Sequence, residues 1–284
     1  MKKEIVVNVG LGETRAALLE DRRLVEFYVE RQEDQRVVGN IYKGRVENVL
    51  PGMQAAFVNI GLERNAFLYV DDALAYSKNG SQNGDGHVHS IKDILKEGQH
   101  IIVQVTKEPI GTKGARVVTN LTLPGRYLVL MPTVEYIGVS RRIGSERERN
   151  RLKAIAKRIR PKGMGLIVRT VAEGKSEEEL LQDCRFLLGL WDRIQQRARK
   201  ASPPALLYKD YDLVYRLVRD TFTPDVDKFV IDSEEEYHKT LELLDHLSPQ
   251  LKNRVYLYHE GPPIFEAYGI EPDIERALQR KVWL

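Results

Sequence analysis

The sequence predicts an α+β protein of several modules, in which a small closed β-barrel is followed by a basic helical region. Short strand-like segments separated by turn residues fill most of the first 120 residues, whereas long amphipathic helices with serine caps begin only at about residue 145. A chain of 284 residues is long enough for two or three modules, each with its own core.

The first 38 residues predict β-structure. The apolar run 5–10 is followed by two further strand-like segments, 14–20 and 24–30. Between these two, Asp21-Arg22-Arg23 favours a hairpin turn.

Residues 39–119 predict a barrel. Their strand-like segments are 40–50, 53–61, 65–70 and 100–107. Pro51-Gly52 and Glu63-Arg64-Asn65 separate the first three, as turn residues should. About five short strands in such a span favour a closed barrel, with the OB-fold as the leading candidate. The polar, glycine-rich segment 77–90 predicts a mobile loop.

The remainder of the chain alternates helices and strands. Ser145 with Glu148 and Ser176 with Glu179 match the capping box that begins a helix. The other predicted elements are strands at 163–170, 228–232 and 254–259, and helices near 211–220, from Ser233, and near 270–281. The β-rich head and this βα tail are compatible with one α/β domain that the middle modules interrupt.

Charge is distributed unevenly along the chain. Residues 120–200 hold 18 basic and 9 acidic side chains, a net charge of +9, whereas residues 201–284 carry −6. A polyanion such as RNA is attracted to the first of these stretches. Arg141 and Arg142 in that stretch either help to hold RNA or form a solvated pair. The alternative for the whole stretch is that its basic helices are ordinary solvated faces.

The single cysteine and the lack of long apolar runs exclude several classes of protein. Cys184 excludes an internal disulfide and a multi-cysteine zinc site, and its apolar helical context predicts a buried, inert thiol. No run of about 18 apolar residues is present, and Glu4, Asn8 and Glu13 interrupt any signal-peptide core. The expectation is a cytoplasmic protein without a membrane span.

The barrel carries residue types that suit single-stranded nucleic acid. Phe57 and Phe67 lie on neighbouring strand-like segments, where exposed aromatics would stack on bases. Lys43, Lys107 and Lys113 would supply charge for the phosphates. From the pattern alone, the favoured alternative is that both phenylalanines fill the barrel core.

A second group of residues, Gly125, Val129, Arg169 and Thr170, suits a terminal phosphate. Gly125 permits close backbone approach, Arg169 offers a planar fork of donors, and Thr170 offers a hydroxyl. A backbone N–H near Gly125 is expected to complete the shell around the phosphate. The alternative is an ordinary surface arginine beside a barrel edge.

Six phrases of the sequence together resemble a known family. GNIYKGRV, LPGMQAAFV, GTKGAR, LPGRYLVLMP, SRRI and IVRT occur in this order, and the same order is found in the ribonuclease E/G family, with its ribonuclease G branch the most similar. The resemblance extends over essentially the whole chain.

The resemblance implies a layout and a set of roles. The implied fold is α+β multidomain, with an OB-fold (S1-type) β-barrel and a 5′-sensor region inserted into an RNase H-like α/β domain. The implied boundaries are 1–38 for the first part of the RNase H-like domain, 39–119 for the S1 domain, 120–215 for the 5′-sensor region and 216–284 for the second RNase H-like part. The implied roles are base contact for Phe57 and Phe67, RNA-backbone contact for Lys43, Lys107 and Lys113, and a 5′-monophosphate pocket for Gly125, Val129, Arg169 and Thr170.

The resemblance also implies what this chain does not carry. The family places its Mg²⁺-binding aspartates in a deoxyribonuclease-I-like domain C-terminal to residue 284. We therefore expect no catalytic and no metal-binding residue here, with Mg²⁺ needed only by the full-length enzyme. Asp225, Asp227, Asp232 and 234–236 are spaced like helix caps and a polar face rather than a metal cage.

The implied partner is single-stranded RNA with a 5′-monophosphate. Full-length members of the family oligomerise, and a monomer is expected for this chain alone. Two alternatives stay open from the sequence: a stand-alone RNA-binding protein without catalysis, and a translation-associated module that binds ribosomal RNA without sensing ends.

We predict that the purified chain has no Mg²⁺-dependent ribonuclease activity, because phosphodiester hydrolysis of this kind needs carboxylates that hold the metal. A fluorogenic single-stranded RNA assay with and without EDTA measures this. EDTA-sensitive cleavage that survives repurification of the protein would contradict the prediction.

Overall fold

A computed structural model describes residues 2–31, 36–77, 90–259 and 261–279 of the protein. The chain divides into two compact units, which are described separately: unit 1 comprises Met1–Gln35 with Tyr211–Leu284, and unit 2 comprises Arg36–Asp210. Most of the glycine-rich segment predicted as a loop at 77–90 lies outside the described residues.

Both units contain strands and helices. The strands are β1 (Lys3–Val9), β2 (Glu13–Glu20), β3 (Arg23–Arg31), β4 (Ile41–Leu50), β5 (Ala55–Asn59), β6 (Ala66–Tyr69), β7 (His100–Lys107), β8 (Arg116–Val118), β9 (Leu123–Pro124), β10 (Leu128–Met131), β11 (Ile137–Val139), β12 (Gly165–Val168), β13 (Ala205–Tyr208), β14 (Lys228–Ile231) and β15 (Val255–Leu257). The helices are α1 (Val70–Ser77), α2 (Ile91–Ile94), α3 (Glu146–Ile159), α4 (Glu177–Lys200), α5 (Leu213–Asp220), α6 (Glu234–Leu247), α7 (Ile264–Ala267) and α8 (Glu271–Ala277). Short 3₁₀ turns lie at Pro51–Met53, Thr170–Ala172 and Pro249–Arg254.

Unit 1 is a mixed five-stranded sheet with the order β15-β14-β1-β2-β3. β14 runs parallel to both β1 and β15, whereas β1, β2 and β3 are antiparallel. One face packs Val7 and Phe229 against residues of α5 and α6, and the other packs Val6 and Val230 against Ile264 and its neighbours. Because both faces are covered, β1 is apolar on both sides rather than alternating.

The predicted hairpin between β2 and β3 is confirmed. Asp21 and Arg22 form a two-residue loop with φ of 48° and 65°. Positive φ at both loop positions gives the twist of a type I′ turn, which matches the right-handed twist of the flanking strands.

The barrel predicted for the second segment is also confirmed as a closed five-stranded, OB-like barrel. In unit 2, β4, β5, β6, β8 and β7 follow one another, and β7 pairs again with β4 to close the ring. Its interior is apolar, with Val46, Val58, Leu68, Val103 and Val117 fully buried. The sequence pattern did not identify β8, because a strand of three residues is too short to show a period.

A second sheet of unit 2, with the order β11-β12-β10-β9, lies beside α3 and α4. Both helices begin at the predicted serines, since Ser145 and Ser176 accept hydrogen bonds from the N–H groups of Glu148 and Glu179. Of these two helices, α4 alone has the full capping box, at Ser176. At the other helix the Glu148 carboxylate instead accepts from the N–H of Gly174 at 2.8 Å.

The expectation of a buried thiol at Cys184 is confirmed. The side chain on α4 is 1% exposed, and its sulfur lies 3.8 Å from the carbonyl oxygen of Ile159. Burial, together with the nearby charge of Asp183, raises the pKa of the Cys184 thiol to about 11.

We predict that Cys184 does not react with a disulfide reagent in the native protein at pH 8, since the thiolate is the reactive form and this thiol is both protonated and enclosed. The release of thionitrobenzoate measures this, with the guanidinium-denatured protein as the control that reacts at once. Rapid stoichiometric release from the folded protein would contradict the prediction.

Candidate nucleic-acid interface

Phe57 and Phe67 lie side by side on the outer face of the barrel. They are directly opposite each other on β5 and β6, with ring centroids 6.0 Å apart in an edge-to-face arrangement. Both are only partly buried, whereas their neighbours Ala56, Val58 and Leu68 are fully buried. Because side chains alternate across a strand, the two phenylalanines point away from the core. The alternative that they fill the barrel interior is therefore wrong.

The strand register extends this aromatic pair into a row across the barrel. Asn48 lies opposite Phe57, Arg116 lies beside Phe67, and Lys107 lies opposite Arg116. Asn48 and Lys107 are exposed. The row thus has two aromatic rings in the middle and positive charge at one end.

Arg116 is a member of this row that the sequence analysis did not single out. Its guanidinium donates to Asp72 at 2.7 and 3.0 Å, which holds the side chain beside Phe67. The alternation of Arg116 with the buried Val117 was the available signal, but a three-residue strand was not recognised.

Lys113 lies in the connection from β7 to β8, which packs closely against the start of β6. The exposed Lys113 is bridged to Ile110, and Arg64 donates to the carbonyl of Thr112 at 2.7 Å. A Cβ atom on Gly114 would lie 2.0 Å from the carbonyl oxygen of Asn65, so only glycine fits there. This packing holds the segment that carries Lys113 against the start of β6, the strand of Phe67.

Lys43 has a different environment from the other predicted lysines. Its ammonium donates to the carbonyl oxygens of Ala198 and Ala201 at 2.8 and 2.9 Å. These carbonyls lie at the end of α4, where a helix carries orphan acceptors and the negative end of its dipole. The structure therefore makes Lys43 a cap of α4, and its contact with RNA stays a prediction.

The structure brings Gly125, Arg169 and Thr170 together at one end of the second sheet of unit 2. The Arg169 guanidinium donates to the carbonyl of Gly125 at 2.6 Å, and the Arg169 N–H donates to the carbonyl of Tyr127 at 2.8 Å. Thr170 follows directly, and its hydroxyl lies 2.8 Å from that of Ser140. A guanidinium and two hydroxyls therefore lie in one short stretch of surface.

Val129 and the arginine pair lie on either side of this stretch. Val129 is on β10, opposite Ile167 of β12 and Pro124 of β9. Arg141 and Arg142 are exposed on the turn after β11, and the N–H of Arg142 donates to the Ser140 hydroxyl at 3.3 Å. Ser140 was not identified from the sequence, because a lone serine in a turn carries no pattern.

The expectation of a donor N–H near Gly125 needs correction. The N–H of Gly125 donates to the carbonyl of Leu128 at 2.8 Å. The N–H groups of Arg126, Tyr127 and Leu128 all donate to the buried carboxylate of Asp183, at 3.1, 2.9 and 2.8 Å. These backbone donors are already engaged, which leaves the side chains of Arg169 and Thr170 as the remaining candidates for contact with a phosphate.

Two further basic residues, Arg126 and Lys175, lie near the same stretch. Arg126 is 2% exposed, and burial lowers the pKa of its guanidinium. Lys175 lies 5.4 Å from the centroid of the Tyr127 ring, and its hydrogen bond to Glu179 raises the pKa of the Lys175 ammonium. Lys175 is paired with Glu179 at 2.9 Å and Arg126 lies near the carboxylate of Asp183, so acidic neighbours offset part of their attraction for a further anion.

The acidic residues near the chain end have structural partners. Asp225 pairs with Lys3 at 3.0 Å, and Asp232 accepts from the side chain of Asn8 and the N–H of Val9. Across the described residues, no group of three or more histidine, cysteine, aspartate or glutamate side chains is arranged to hold a metal ion.

Within the same part of the chain, the helices are too short or too polar to cross a membrane.

Comparison with known proteins identifies the family. Residues 122–284 match the family model described as "Ribonuclease E/G family". The chain is 45% identical to Ribonuclease G of Haemophilus influenzae over 281 residues, which is 98% of this chain and 57% of that protein. It is 41% identical to Ribonuclease G of Escherichia coli over 286 residues, 100% of this chain and 58% of that protein. It is 43% identical to Ribonuclease E of Nostoc sp. over 271 residues, 94% of this chain and 38% of that protein.

These matches place the chain in the class of ribonuclease-related proteins. Because they cover nearly the whole chain, they also identify its family. The chain belongs to the ribonuclease E/G family. It spans a little more than half the length of the Ribonuclease G relatives.

We predict that Phe57→Ala and Phe67→Ala each weaken binding of single-stranded RNA without lowering the cooperativity of thermal unfolding. The rings lie outside the apolar core, and a lost stacking contact costs roughly 1–3 kcal/mol per base. Fluorescence anisotropy with a labelled oligonucleotide measures the affinity. Tyr28→Ala, which removes a partly buried ring from unit 1, is the control. A loss of cooperative melting with unchanged affinity of the folded protein would show that the rings only support the fold.

Proposed function

We propose that this chain is the RNA-recognition part of a single-strand-specific endoribonuclease of RNA processing and decay. It binds single-stranded RNA on the barrel and senses a 5′-monophosphate at the Arg169 stretch. The observation that carries the proposal is the convergence of Arg169, Thr170 and Gly125, which are up to 45 residues apart in the sequence. Membership of the ribonuclease E/G family supports the choice of RNA as the ligand.

The layout proposed with this function follows the family resemblance. We take the barrel at 39–119 as an S1 domain, 120–215 as a 5′-sensor region, and 1–38 with 216–284 as an RNase H-like domain. The closed barrel of unit 2 and the mixed sheet of unit 1, with helices on both faces, support these assignments. Mg²⁺ would bind in the catalytic part of the whole enzyme. The enzyme would act in the cytoplasm.

The barrel face suits a single strand rather than a duplex. Phe57 and Phe67 offer ring surface for unstacked bases, and bases in a duplex are already stacked on one another. Lys107, Lys113 and Arg116 place positive charge at one end of the row for the phosphate backbone. A site that recognises RNA by stacking and charge would bind strands of many different base sequences.

The Arg169 stretch suits a terminal phosphate rather than one within the chain. A terminal monophosphate carries up to two negative charges and three oxygens that are not bonded to carbon, whereas an internal phosphodiester carries one charge. A planar guanidinium binds such a group through parallel N–H donors, and two hydroxyls can complete the contact. Arg126 and Lys175, whose charges Asp183 and Glu179 offset in part, add a smaller preference for the dianion.

We predict that the chain binds 5′-monophosphorylated RNA about tenfold more tightly than 5′-hydroxyl RNA, which corresponds to about 1.4 kcal/mol. A triphosphate should bind less well than the monophosphate, because the stretch is suited to one phosphate. Anisotropy with three RNAs that differ only at the 5′ end, at fixed salt, measures this. Equal affinity for the monophosphate and hydroxyl ends would refute end sensing.

We expect Arg169→Ala to abolish the preference and leave most of the 5′-hydroxyl affinity, which the barrel supplies. Arg169→Lys should restore little, since an ammonium cannot reproduce the bidentate fork. Arg193→Ala, which removes an exposed arginine from α4, is the matched control for the loss of one positive charge. An equal loss of preference in the control would show that general charge, not the Arg169 fork, is measured.

A further inference from the structure

Asp183 is a buried acidic residue on an otherwise apolar face of a helix. It lies on α4, is 6% exposed, and faces the turn between β9 and β10. Its neighbours on the buried side of the same helix are apolar, including Leu180, Cys184 and Leu187. A carboxylate at such a position costs free energy unless its oxygens find strong partners.

The partners of Asp183 are three successive backbone N–H groups. Oδ1 accepts from Arg126 at 3.1 Å, and Oδ2 accepts from Tyr127 at 2.9 Å and from Leu128 at 2.8 Å. Successive N–H groups that point into one concavity form an anion-binding nest. Here the anion is part of the protein, and it fixes the conformation of the turn.

The charge balance around Asp183 includes Arg169. Burial raises the pKa of Asp183 above its usual range, and the three backbone hydrogen bonds and the positive charge of Arg169 oppose that rise only in part. Arg126, whose guanidinium is also close to Asp183, adds a further positive charge. Helix α4 thus places one negative charge beneath the candidate phosphate stretch and close to its principal cation.

Gly125 connects Asp183 to Arg169. A Cβ atom on Gly125 would lie 2.6 and 2.7 Å from the two carboxylate oxygens of Asp183, so the turn can approach the carboxylate only with glycine there. The carbonyl of the same glycine accepts the 2.6 Å hydrogen bond from the Arg169 guanidinium. The position of Asp183 therefore sets the position of the acceptor that orients Arg169.

We propose that Asp183 is a positioning residue of the phosphate stretch, which holds the turn 125–128 so that the Gly125 carbonyl aims the Arg169 guanidinium at a terminal phosphate. The inference rests on the proposed end-sensing function. Asp183 does not touch the RNA, since its oxygens face the turn and its side chain is enclosed. It acts on specificity for the 5′ end and leaves the barrel contacts unchanged.

The test compares the native chain with Asp183→Asn. Asparagine keeps the size of the side chain but replaces one acceptor oxygen with an NH₂ group, which faces backbone donors and cannot bond to them. Asp192→Asn, on the exposed side of the same helix, is the matched control. The dissociation constants for 5′-monophosphate and 5′-hydroxyl RNA are measured by anisotropy at a temperature where circular dichroism shows every variant to be folded.

We expect Asp183→Asn to reduce the preference for the monophosphate from about tenfold to below about threefold. The dissociation constant for 5′-hydroxyl RNA should stay within a factor of two of the native value, and Asp192→Asn should behave as the native chain. In the Arg169→Ala background, Asp183→Asn should change neither constant further, because two residues that act through one contact are not additive.

Two results would overturn the inference. A lower melting temperature with an unchanged preference would show that Asp183 only stabilises the fold, and an additive loss in the double variant would show that it does not act through Arg169. If Asp183→Asn does not fold, Asp183→Glu decides in its place, since it keeps the charge but moves the carboxylate by one methylene group, and it should likewise reduce the preference. A native chain without any preference would refute the proposed function itself, whereas a preference retained in the variant refutes only the role of Asp183.

Discussion

Strand β4 is the element on which the arrangement of unit 2 depends. One edge of β4 pairs with β7 over residues 41–45, and this pairing closes the barrel. The other edge is shared, since β13 pairs with its first half and β5 with its second half. All three pairings satisfy backbone groups that a barrel of this size would otherwise expose.

The sequence of β4 permits these three strand pairings. A Cβ atom on Gly44 would lie 2.5 Å from the Val58 side chain and 3.0 Å from the carbonyl oxygen of Asn59, so glycine permits the close contact with β5. The adjacent Lys43 extends outward and caps the end of α4. One strand therefore closes the barrel and ties the longest helix of the unit to it.

Both candidate RNA sites use groups that are held in place before any ligand arrives. On the barrel, Asp72 fixes Arg116 beside Phe67. In the second sheet, Asp183 fixes the turn whose Gly125 carbonyl fixes Arg169. A donor that is already oriented loses less conformational entropy on binding, so each contact contributes more to affinity. In both places a carboxylate supports a cation that we propose as an RNA contact.

The sequence by itself determined the local elements and the family. The loop Asp21-Arg22 predicted the hairpin, the serines at 145 and 176 predicted the starts of two helices, and short alternating runs predicted the barrel. These features depend on neighbours within a few residues, which is why a pattern shows them. The ordered phrases of the sequence also predicted the family, which the comparisons confirm.

Only the tertiary structure decided which side chains meet. Lys43 contacts the end of a helix about 155 residues further along the chain, and Asp183 contacts a turn 55 to 57 residues before it. The outward direction of Phe57 and Phe67 required the closed barrel, because alternation alone does not say which face is covered. Long-range contacts of this kind depend on how the strands close and how the helices pack, and no short stretch of sequence contains that information.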